Sequence, residues 1–198
     1  QYLHTLPAPV LGLAFSPDGN RLAAVGVDRR IDFWDAATNR NSVSFRSPDP
    51  PGDAFAALAF TPDGQQLLVT QDDLLLVLDS VTGHEQRRLA AHAKEITALA
   101  FSPEGKRLIT TGDDRTVRLW DWMHWHELAT FRTEVNPVAV NLSPDGTVLS
   151  VVNYKYQVKQ WHAALPREVA ALANAIPDKR DRLRFIQTIK PADGFKNW

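Results

Sequence analysis

Four times along the 198 residues a short apolar run, a Ser/Thr-Pro-acid-Gly cluster and a second apolar run follow one another in the same order. The clearest copy spans Glu95 to Asp121, EITALAFSPEGKRLITTGDDRTVRLWD. Ile96 to Phe101 is apolar apart from Thr97 and carries the β-branched and aromatic residues that favour a strand. It stops at Ser102-Pro103-Glu104-Gly105, where Pro103 presets φ at the second turn position and Gly105 supplies the positive φ that reverses the chain. Arg107 to Thr111 is then a second strand and Gly112-Asp113-Asp114-Arg115 a second reversal. Val117, Leu119 and Trp120, set among polar residues, mark a third strand.

The same sentence recurs at Ser16-Pro17-Asp18-Gly19, Thr61-Pro62-Asp63-Gly64 and Ser143-Pro144-Asp145-Gly146, with the four prolines 45, 41 and 41 residues apart. Each third strand ends at Trp34-Asp35, Leu78-Asp79, Trp120-Asp121 or Trp161-His162. A fixed period of this length is the mark of a repeat architecture. Four strands per period, closed by Trp-Asp, resemble the WD-repeat β-propeller family, and the resemblance covers about residues 3–172. It implies an all-β fold of four recognisable four-stranded blades in an incomplete ring, at residues 10–45, 55–89, 95–131 and 137–172. Blade two is the degenerate one, with Leu78 in place of Trp and LLLVL suited to a strand buried on both faces.

Two stretches stay open. Residues 168–172 (EVAAL) fit a fourth outer strand or, after Pro166, a helix. In the tail at 173–198, the alternation of Leu183, Phe185, Gln187 and Ile189 fits the start of a fifth blade, and a capping helix begun near Asp178 fits equally. Gln1 to Thr5 aligns with an outer strand whose own blade lies elsewhere. The expectation is therefore a ring completed by further blades of a parent chain, by a partner or by a second copy.

A net charge of −1 and the absence of any dense Lys/Arg cluster argue against nucleic acid and membrane surfaces as partners. No apolar run approaches the roughly 18 residues of a membrane span, and a cytoplasmic location is the default expectation. With no cysteine there is neither disulfide nor thiolate chemistry. No glycine-rich phosphate loop, paired-carboxylate motif or nucleophile elbow occurs.

In the WD-repeat family a His, a Ser or Thr, an Asp and the Trp form a hydrogen-bonded quartet, and the matching positions here are His92, Thr110, Asp114 and Trp120. The resemblance makes these a structural unit, whereas a catalytic reading would make Thr110 a nucleophile beside a His–Asp pair. The other blades keep only parts of the quartet. His124 and His126 are a bare minimum for zinc, and their alternation around Trp125 is expected to turn them apart, so no metal or cofactor is assigned.

The resemblance implies a non-catalytic scaffold for a protein or peptide partner, the docking or sensory part of a larger protein. An enzyme with its active site at the channel mouth is the alternative. Partner contacts are expected on the second reversals, at Arg29, Arg30, Arg115, Tyr154, Lys155 and Tyr156, and on the aromatic loop with Trp122 and Trp125.

Overall fold

The computed structural model describes residues 8–38, 40–46 and 55–162, and every regular element among them is a strand. The first blade consists of β1 (Val10–Phe15), β2 (Arg21–Gly26), β3 (Arg30–Asp35) and β4 (Arg40–Arg46). The second holds β5 (Phe55–Phe60), β6 (Gln66–Gln71), β7 (Leu74–Asp79) and β8 (Glu85–Ala90). The third holds β9 (Ile96–Phe101), β10 (Arg107–Gly112), β11 (Thr116–Asp121) and β12 (His126–Arg132). The fourth has β13 (Pro137–Leu142), β14 (Val148–Asn153) and β15 (Val158–His162). Each blade is an antiparallel meander in chain order. The candidate outer strand at 168–172, the tail and Gln1 to Thr5 lie outside the described residues.

The two reversals in each blade share one design. In the first, the glycine N–H bonds back to the Ser or Thr carbonyl three residues earlier, and Gly19, Gly64, Gly105 and Gly146 all sit at φ of 69–72°. In the second, the left-handed position is held by Arg29 (φ 63°), Asp72 (50°), Arg115 (62°) and Tyr156 (60°). A side chain at positive φ costs about 1 kcal/mol that glycine would not. The first turn is therefore relaxed and the second is strained, blade after blade.

Blades pack face to face through three apolar clusters. Ala23, Val25, Ile31 and Phe33 of blade one meet Phe60, Leu67, Val69, Leu76 and Leu78 of blade two, with Phe33 edge-on to Phe60. Leu68, Leu75 and Val77 on the other face of blade two meet Ile96, Leu108 and Trp120 of blade three. Ile109, Val117 and Leu119 then meet Leu142, Leu149 and Val151 of blade four. A central strand lies between two neighbours, which is why Leu75 to Leu78 of β7 are buried without alternation. The outer strand β12 alternates instead, because only one of its faces has cover.

The inner strands β1, β5, β9 and β13 pack in succession, but among the described residues no contact of comparable extent joins β13 to β1. The first blade's flank shows the consequence. Phe15 is 63% exposed, whereas its equivalents Phe60 and Leu142, which meet a preceding blade, are 6% and 7% exposed.

Candidate functional site

The quartet of blade three is assembled by four pieces of chain. His92 comes from the link between β8 and β9, Thr110 from β10, Asp114 from the second reversal and Trp120 from β11. Trp120 Nε1–H donates to Thr110 Oγ1 at 2.9 Å, and Thr110 Oγ1 lies 2.8 Å from His92 Nε2. The hydroxyl carries one hydrogen and already accepts from the indole, so it donates to Nε2. That fixes the imidazole proton on Nδ1, which faces Asp114 Oδ1 at 3.0 Å. Two groups not legible in the repeat pattern close the network. The Thr116 hydroxyl donates to Asp114 Oδ1 at 2.6 Å, and the Ala93 N–H donates to Oδ2 at 3.0 Å. Asp-x-Thr at a turn was the available signal, since a carboxylate there bonds its own backbone and hydroxyl two residues on. Gly112 is required as well, because a Cβ at that position would stand 2.6 Å from His92 Nδ1.

Electrostatics favour a neutral imidazole against a charged carboxylate. Burial pushes the His92 pKa down, outweighing the attraction of Asp114. Burial also opposes ionisation of Asp114, but hydrogen bonds from Ala93, Thr116 and His92 override it and hold that carboxyl far below the usual range. The His92 side chain is 0% exposed, and the Thr110 hydroxyl is occupied by both Trp120 and His92. A His-Asp-Thr set enclosed in this way has no face for a substrate. Its chemistry is to satisfy buried donors and tie the inter-blade link to the blade.

The second reversals all lie at one end of the blades, as the antiparallel order requires, and the loops between third and fourth strands lie at the other. At the first end Arg115, Tyr154 and Lys155 are exposed, and Tyr156 is 93% exposed, while Arg29 is half-buried. Arg30 departs from the expectation that it faces a partner. Its guanidinium turns inward to Asp32 Oδ1 at 3.1 Å and to Ser44 Oγ, because the Asp32 carboxylate is buried and needs a counter-charge.

The aromatic loop also departs from expectation in two respects. Trp122 is only 8% exposed, packs edge-on to Phe101, and donates its Nε1–H to the Gly105 carbonyl at 2.9 Å. It belongs to the core between blades two and three. Trp125 is half-buried, with the Arg87 guanidinium 5.9 Å from its ring centroid. The positive φ of Trp125 (56°) bends the chain so that His124 and His126 stack at 6.4 Å instead of turning apart. His124 Nδ1 meets Asp121 at 3.0 Å. Among the described residues no three His, Asp or Glu side chains converge in a metal-binding group, and no helix is long and apolar enough to cross a membrane.

Three four-stranded meanders and one with three described strands, packed face to face with their inner strands in sequence, define a β-propeller architecture of four blades. The family model for the WD domain, G-beta repeat, matches residues 1–35 and 83–121. Both segments end at the places where the chain reads Trp-Asp, Asp35 and Asp121. An uncharacterized WD repeat-containing protein of Synechocystis sp. is 30% identical over 140 residues, 70% of this chain. The chain spans 39% of that relative's length. Together with the blades, these matches make the chain a member of the WD-repeat β-propeller family, whose repeats serve in general as scaffolds for protein interactions.

Proposed function

We propose that this chain is a non-catalytic docking module that takes a protein or peptide partner on the end carrying the second reversals. One observation carries the reading. In every blade the left-handed turn position that glycine would fill at no cost is held by a side chain, and in three blades it is Arg29, Arg115 or Tyr156. Strain kept at equivalent positions needs a compensating use, and Arg and Tyr are the types most often found as binding hot spots. The exposed Tyr154 and Lys155 extend the same surface. An enzyme reading needs an open titratable cluster, and the buried His–Asp pair is consumed by the quartet.

The exposed Leu13 and Phe15 favour a second contact, in which a further blade covers the flank of blade one as blade two's Phe60 is covered by blade one. The test of the docking reading is quantitative capture of one and the same partner by three versions of the full chain. Arg29→Ala/Arg115→Ala/Tyr156→Ala is expected to lose that partner while Trp125→Ala keeps it. The reverse pattern would move the interface to the opposite end.

A further inference from the structure

Blade four lacks the quartet, and what stands in its place is a cavity. His92 lies 18 residues before Thr110 and four before the start of β9. Thr133 stands at the same distances from Val151 and from the start of β13. The Thr133 N–H points to the carbonyl of Arg115 in the preceding blade's second turn, as the Ala91 N–H (2.9 Å) and the His92 N–H (3.3 Å) both point to that of Asp73, the link into blade four being one residue shorter than the link into blade three. Asp114, Thr116 and Arg118 correspond by the same count to Lys155, Gln157 and Lys159, and Trp120 to Trp161. Thr133 does not fill the seat of the imidazole, because its hydroxyl is drawn away to the Arg115 carbonyl at 3.1 Å. The result is a pocket of about 310 Å³ bounded by Thr133 to Val135, Val151, Asn153 and Gln157 to Lys159. That volume is at the lower end of the range of small-ligand sites, roughly 300–1,000 Å³.

The lining specifies what fits. Val135 and Val151 give it apolar walls, with the Lys159 stem on the same sheet face as Val151, and the amides of Asn153 and Gln157, bonded to each other at 3.2 Å, stand at its edge. Glu134 and Lys159 both line it without forming an ion pair with each other. The Lys159 ammonium is held instead 5.0 Å over the Trp161 ring, which leaves the Glu134 carboxylate as the charge that an incoming N–H would meet. In blade three the same seat accepts an imidazole, with its polar edge toward the turn.

We infer that the imidazole seat of blade four, between Thr133, Val135 and Val151, receives an aromatic side chain with an N–H or O–H edge from a partner polypeptide. The inference rests on the docking reading and names the anchor. The seat opens beside the second reversal of blade four, so a chain lying across Tyr154 to Tyr156 reaches it. An aromatic residue in a walled pocket at such a surface is the usual form of a binding hot spot.

The test uses the full chain, isotope-labelled at valine methyls, and N-acetyl-histidine amide and N-acetyl-tyrosine amide as probes. Both probes are expected to shift the Val135 and Val151 methyl signals in a saturable way, and N-acetyl-alanine amide is expected to leave them in place. Two variants close the seat by different routes. Thr133→His/Val151→Thr/Lys155→Asp rebuilds the quartet so that the chain's own imidazole fills it, and Gln157→Trp blocks the mouth from an exposed position. Loss of the remaining methyl shifts in the folded variants supports the inference, and Gln157→Trp serves where the triple change fails to fold. Wild-type signals that do not move, or that move equally with the ringless probe, overturn it. Arg29→Ala lies in blade one, with blades two and three in between, and leaves the probe shifts unchanged, so failure of the pocket is distinguishable from failure of the rim.

Discussion

Replacing Thr110 by Val changes almost nothing in shape and removes one oxygen from the centre of the quartet. That oxygen accepts the Trp120 N–H at 2.9 Å and supplies the hydrogen to His92 Nε2 at 2.8 Å. Thr110 is 0% exposed and His92 4%, so no water replaces it. A buried donor and a buried acceptor are each left unsatisfied, at about 1–3 kcal/mol apiece, against a small gain from the added methyl. The expected cost is therefore about 2–4 kcal/mol. Thr110→Ser keeps the hydroxyl and loses only a methyl, for about 1 kcal/mol. Urea unfolding followed by tryptophan fluorescence ranks the two, and hydrogen exchange of the Trp120 indole N–H gives a local readout that should quicken only in the valine variant. Blade four carries Val151 at the same position with no imidazole above it, so the cost lies in orphaning His92 and Trp120 and not in valine itself. A valine variant within 0.5 kcal/mol of wild type, or a serine variant worse than valine, would refute this account of the quartet.

Gly112→Ala should cost about 1–3 kcal/mol by driving a methyl against the His92 ring 2.6 Å away, measured in the same melts. Both His92 and Asp114 have lowered pKa values, so the folded state holds their protons less tightly than the unfolded chain does. Stability is full above the ordinary histidine value of 6.5, falls as pH drops below it, and falls further as pH passes below the ordinary 3.8 of Asp114. His92→Gln should flatten the slope between pH 7 and 5. Arg115→Gly should raise stability by up to about 1 kcal/mol by relieving its positive φ, partly offset by the freer unfolded chain, while weakening partner capture. Trp122→Ala should cost about 3–5 kcal/mol through a cavity beside Phe101, whereas Trp125→Ala should cost about 1, and equal losses in urea melts would contradict their placement.

Period, turn chemistry and strand order were local matters, and the sequence determined them. A Ser-Pro-Asp-Gly turn specifies its reversal from its own residues, an alternating run specifies a strand, and fourfold recurrence turned four weak signals into one repeating unit. The membership of the quartet was legible for the same reason, because repeat position carries it. What the tertiary structure decided were the questions of which side chains face one another. Trp122 and Trp125 stand three residues apart in one polar-looking loop, and only the approach of Phe101 and the Gly105 carbonyl makes one of them core. Arg30 reads like Arg29 until the buried Asp32 draws its guanidinium inward. The cavity of blade four was invisible for a related reason. A missing histidine is an absence in sequence, and it becomes a space only when the groups that would have enclosed the ring, Val151 with Lys159 opposite it on the next strand and Val135 of the inter-blade link, are brought together by the fold.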